Sequence, residues 1–159
     1  MHAAPVVADL VEHPLLRRLV SLGFDDRDFA IFGSGPMLAR GLRRDIGDLD
    51  VVARRAAWEH ACAIGEPRVG PVSGDRAMHF WGGRIEVYAR WIAPLLDTDE
   101  LIDGADVIEG LRFVRLEHVL AYKRALGRPK DLADIRVLEG LHQLRTRTAT
   151  VRRLVPAIA

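Results

Sequence analysis

The sequence of 159 residues has little of what several protein classes require. Its single cysteine, Cys62, excludes an internal disulfide and any multi-cysteine zinc centre, and makes a reducing cytosol the expected compartment. The six histidines show no His-x-x-x-His spacing, so transition-metal binding has no support. No apolar run approaches the ~18–20 residues of a membrane span, and the first residues carry no basic stretch leading into an apolar one. A cytoplasmic protein with no membrane partner is therefore expected. Lysine is nearly missing: only Lys123 and Lys130 stand among 23 basic residues, a bias that composition explains more simply than nucleic-acid recognition. Internal repeats, low-complexity tracts and a linker long enough to divide the chain are all lacking.

What is present suits one globular domain over residues 1–159, with 49% hydrophobic and 28% charged residues. A chain of this size buries roughly two thirds of its unfolded surface. The formal charge of +1 conceals an asymmetry. Residues 1–110 carry 18 acidic and 12 basic side chains, whereas residues 111–159 carry 4 acidic and 11 basic. Either surface charge simply varies along the chain, or carboxylates for a metal come from one part and cations for phosphate from the other.

Leu10 to Leu22 reads as helix broken near Pro14, and Asp28 to Phe32 as a short buried strand. Gly33-Ser34-Gly35 turns the chain into a helix opened by Pro36 and closed near Gly41. Asp48 to Ala53 is expected to be a strand, Ala56 to Ile64 a helix, and Arg68 to Val72 a further strand. Arg76–Trp81 and Arg84–Trp91 form a hairpin across Gly82-Gly83. An acidic segment, Asp97 to Glu109, precedes two helices, Leu116–Leu126 and Pro129–His142. This order predicts an α+β (mixed α/β) domain: a small mixed sheet covered by helices, with a core over 28–91 and a helical part over 112–159.

A strand that ends in Gly33-Ser34-Gly35 at a helix start offers backbone N–H groups and a hydroxyl. That suits an anion, phosphate above all, although a plain tight turn fits the same residues. Asp48 and Asp50 share one strand face while Leu49 and Val51 take the other. Two carboxylates roughly 7 Å apart repel unless a cation lies between them, and magnesium favours such oxygen ligands. Glu86 alternates with Ile85 and Val87, so it meets the aspartates if its strand lies beside theirs. The alternative is an exposed glutamate paired with Arg84 or Arg90.

Lys123 falls on the apolar stripe Leu116, Val119, Leu120, Leu126. It either covers apolar surface with its stem or reaches a cleft to neutralise triphosphate charge. Asp131 and Asp134 share a face at a helix start, where capping and a Lys130–Asp134 pair also explain them. Arg40, Arg43 and Arg44 follow the glycine turn. Arg145, Arg147, Arg152 and Arg153 form a basic run without an aromatic platform for nucleic acid.

Gly33-Ser34 followed after thirteen residues by Asp48-Leu49-Asp50-Val51, with Glu86 on a later strand, resembles the signature of the DNA polymerase β-like nucleotidyltransferase superfamily over roughly residues 28–91. The resemblance implies transfer of a nucleoside monophosphate from a nucleoside triphosphate to a hydroxyl of RNA, a protein or a small molecule. Gly33 and Ser34 would then hold the triphosphate. Asp48, Asp50 and Glu86 would bind Mg2+, or Mn2+ in its place, and Glu86 would assist the acceptor. Lys123 with Arg128-x-Lys130-Asp131-x-x-Asp134 is similar to motifs of the AbiEii-type toxin branch. That narrower likeness implies nucleotide contacts for Lys123 and Asp131, a toxin role and an antitoxin-like partner protein. The alternative is a nucleotide- or partner-binding module of the same fold without turnover.

Overall fold

The computed structural model describes residues 10–70, 74–91 and 96–154, and divides into two units, Met1–Val119 and Leu120–Ala159. In chain order the elements are α1 (Pro14–Ser21), β1 (Phe29–Phe32), α2 (Gly35–Ala39), β2 (Leu49–Ala53), α3 (Arg55–Ile64), β3 (Glu66–Val69), β4 (Arg76–Phe80) and β5 (Ile85–Tyr88). There follow α4 (Thr98–Asp103), β6 (Asp106–Ile108), β7 (Leu111–Phe113), α5 (Leu116–Leu126), a 3-10 turn (Pro129–Asp131) and α6 (Leu132–Leu154). This is a mixed α/β fold. Among the described residues seven strands lie in the order β3-β4-β5-β2-β1-β7-β6, with β2–β5 and β1–β7 parallel and the other pairs antiparallel.

Strand alternation sorts the first unit into two layers. Ile31, Leu49, Val51, Ile85, Val87 and Met78 point to one face and join Leu15, Leu16 and Leu19 of α1 with Ala57 and Ala61 of α3 in the main core. Burial of each large member contributes about 1.5–3 kcal/mol. The opposite face of β1 and β2 is packed by α4, which supplies the buried Leu101 and Ile102. Phe32, Tyr88 and Trp91 also close together, with ring centroids 5.2 and 4.4 Å from Trp91.

α4 is pinned by one guanidinium. Arg54, at the end of β2, reaches Asp28 at 3.3 Å, Asp99 at 2.8 Å and Asp103 at 2.6 Å. Its hydrogen bond to Asp103 is the main cause that raises its pKa, and the same bond holds the Asp103 carboxyl below its ordinary range.

Several boundaries differ from the sequence reading. The acidic segment, for which the sequence reading names no element, contains α4 and β6. Asp97 caps α4 by accepting from the Asp99 N–H at 2.9 Å, and three-residue strands are too short to show a periodicity. The expected strand at 68–72 is β3, starting at Glu66, and Pro71 and Val72 lie outside the described residues. The expected helix from Pro129 to His142 is a 3-10 turn followed by α6. Arg128, before a proline, is extended, and no glycine or proline lies between His142 and the end of α6 at Leu154. Among the described residues of the second unit, Tyr122, Lys123, Asp131, Asp134 and Leu138 are the buried ones besides Leu120.

Candidate active site

The turn after β1 depends on two glycines. Gly33 has φ +64°, and a Cβ there would stand 2.5 Å from Asp50 Oδ2 and 3.3 Å from its Cγ. A Cβ at Gly35 would collide with the Ile31 side chain, and one at Gly33 would both strain the backbone and push the Asp50 carboxylate from its place. Ser34 precedes α2 without a capping bond; its Oγ accepts from Arg43 Nη1 at 2.7 Å. α2 has five residues, so anion binding here would rest on the turn itself more than on a helix dipole.

The carboxylates come together through sheet register. Asp50 of β2 lies opposite Phe32 on β1 and opposite Glu86 on β5. Both carboxylates are half-buried on the same face, whereas Asp48, one residue before β2, is exposed. The row continues onto β4, where His79 lies opposite Glu86. Glu86 Oε2 accepts from the Tyr88 hydroxyl at 2.6 Å, and Oε1 lies 3.3 Å from His79 Nε2. That imidazole nitrogen is buried and makes no hydrogen bond. Tyr88 and His79 thus lie against Glu86, where the alternative reading of an exposed glutamate had Arg84 or Arg90.

Asp48, Asp50 and Glu86 offer oxygen donors alone, the chemistry a hard divalent cation takes. Among the described residues, no three His, Cys, Asp or Glu side chains form a group that could hold a metal ion. His79 was not anticipated from the sequence, although the signal existed. A four-residue loop around Gly82-Gly83 pairs Phe80 with Ile85, and the next step outward sets His79 against Glu86.

In the second unit, Lys123 and Asp131 are brought to each other. Lys123 Nζ lies 3.0 Å from Asp134 Oδ2 and 3.5 Å from Asp131 Oδ1. Arg128 bonds both oxygens of Asp131, at 2.7 and 3.2 Å, and its guanidinium also reaches the Tyr122 hydroxyl. Lys123 is 3% exposed and Asp131 1%. Burial pushes the Asp131 carboxyl up, but the Arg128 bond and the Lys123 charge prevail and hold it below the usual range. The ammonium that was expected at a triphosphate thus already has two carboxylates beside it. Arg40 is paired with Asp106.

No protein-family model matches the chain, and no curated protein does. Among solved structures it is similar to a Thermotoga maritima protein provisionally described as a nucleotidyltransferase. The two are 17% identical, the likeness covers 80% of this chain and 92% of that one, and the TM-score is 0.49. A likeness of that size carries no inference about chemistry. Among the described residues no helix is long and apolar enough to cross a membrane.

Proposed function

We propose that the chain is a metal-dependent nucleotidyltransferase that moves a nucleoside monophosphate from a nucleoside triphosphate to a hydroxyl acceptor. The observation that carries this reading is the seating of Asp50: over a glycine where a Cβ would displace its carboxylate, and directly across from Glu86. Asp48 and Asp50 would hold Mg2+, or Mn2+, with Glu86 beside them, and Asp48 would have to swing inward from its exposed position. The bound cation would supply charge neutralisation at the reacting phosphate. The Ser34 hydroxyl and the Gly33 turn would receive the β- and γ-phosphates. Glu86, oriented by Tyr88 through Oε2, would take the proton of the acceptor hydroxyl on Oε1. The new oxygen–phosphorus bond would form as the bond to pyrophosphate breaks.

The test is incubation with each labelled nucleoside triphosphate, Mg2+ and cell RNA, protein or small-molecule extract, with and without a chelator. Label transfer should vanish with Asp50→Ala and with the chelator. Glu86→Gln should lower kcat about 10²-fold or more with little change in KM. Absence of transfer with every nucleotide, or equal transfer by Asp50→Ala, would overturn the proposal. The extract that takes label identifies the acceptor class, and a toxin role with an antitoxin-like partner requires that acceptor to be essential for growth.

A second reading, a binding module without turnover, draws support from the exposure of Asp48 and from the want of a three-donor group among the described residues. Tight nucleotide binding by calorimetry that is indifferent to Mg2+ would favour it.

A further inference from the structure

The end of α6 carries a surface that the catalytic reading does not use. Val137, Leu141, Leu144, Thr148 and Val151 follow one another at intervals of four, three, four and three residues, the seam spacing of a coiled coil. Val137 is 43% exposed, Leu144 62% and Val151 57%, and every residue from His142 to Arg152 is exposed. Thr148 donates its hydroxyl to the Leu144 carbonyl at 2.9 Å, and Thr146 and Thr150 likewise bond one turn back. Leu144, Thr148 and Ala149 form an open stretch of surface with Arg145 and Arg152 beside it.

The flanking charges decide what can lie there. Residues 140–154 hold four arginines and no carboxylate. Arg145 and Arg152 fall on one side of the seam and Arg147 on the other, the positions that select a partner helix in a coiled coil. A second copy of this chain is disfavoured. In a parallel pair, Arg147 of one chain would meet Arg152 of the other, and in an antiparallel pair arginine again meets arginine. Nucleic acid has no use for the apolar seam, and the threonine hydroxyls that would serve phosphates are turned into the helix.

We infer that α6 is the docking surface for an acidic amphipathic helix of another protein, with an apolar seam at seven-residue repeat flanked by glutamate or aspartate. This is independent of the enzymatic proposal and stands or falls apart from it. The probe is a synthetic heptad peptide with isoleucine and leucine in the seam and glutamate at the flanking positions. Its counterpart carries lysine there, and a uridine homopolymer is the third ligand. Binding to the full chain is followed by fluorescence anisotropy at low and high salt, with the fold of each variant checked by circular dichroism.

The acidic peptide should bind and the lysine peptide should not. Leu144→Gln should weaken binding about tenfold or more, as truncation of a seam anchor does. Arg147→Glu with Arg152→Glu should do the same, while Gln143→Ala, off the seam, should change nothing. The inference is overturned if the acidic peptide does not bind, or if Leu144→Gln binds it as well as the parent. It is equally overturned if sedimentation shows self-association that Leu144→Gln abolishes, or if only the RNA binds.

Discussion

Gly33→Ala tests the seating of Asp50 directly, because two separable costs meet at that position. The first is the backbone: φ is +64°, and an L-residue held in that region costs about 1–2 kcal/mol. The second is steric. The new Cβ would stand 2.5 Å from Asp50 Oδ2 and 3.3 Å from its Cγ, whereas the Asp50 Cβ, at 3.4 Å, is in ordinary contact. Overpacking of this kind costs about 1–3 kcal/mol. Gly23 supplies the control, since it has φ +72° and nothing lies within 4 Å of the place its Cβ would take. Gly23→Ala should therefore lose about 1–2 kcal/mol and Gly33→Ala about 2–5. Introduced into Asp50→Ala, the Gly33 substitution should fall back to the backbone cost alone, a coupling of about 1–3 kcal/mol. Urea midpoints at constant slope measure all of these, and thermal midpoints should move by about 2–4 °C per kcal/mol in a chain of this size. If Gly33→Ala costs no more than Gly23→Ala, or if its cost is unchanged by Asp50→Ala, the carboxylate does not sit over the turn and the proposed site loses its basis.

Two further predictions concern the charge clusters. Lys123→Met leaves Asp131 and Asp134 buried without their ammonium and should cost about 3–5 kcal/mol at neutral pH. The Asp131 pKa is depressed in the fold, so its stabilisation stands above about pH 4 and is lost as pH falls through the depressed value. The deficit of Lys123→Met against the parent should accordingly shrink in acid as the carboxylates protonate in the folded chain; a deficit unchanged down to the pH at which the parent itself unfolds would refute the pairing. Arg54→Leu removes a guanidinium shared by one buried and two exposed aspartates, and should cost about 2–4 kcal/mol, with the exposed partners adding little. Amide exchange at Leu101 and Ile102 should quicken in that variant, and unchanged protection there would show that Arg54 does not hold α4.

The glycine turn, the face of Asp50 on its strand and Glu86 opposed to Ile85 and Val87 were legible in the sequence, whereas Asp48, expected on the same strand, precedes β2 and is exposed. Each legible feature follows from an alternation of period two or from residues adjacent in the chain. The short α4, β6 and β7 were not legible, because elements of three to six residues carry too few positions to establish a period. Tertiary structure alone decided which strands became neighbours. Asp50 faces Glu86 because β2 pairs in parallel with β5, 36 positions away, and no local pattern specifies that partner or its register. It also decided that Arg54 would gather three aspartates, and that Lys123 would be held by Asp131 and Asp134. A sequence states the direction in which a side chain leaves its own backbone; what waits there depends on the packing of distant segments, and charged groups take whichever partners that packing delivers.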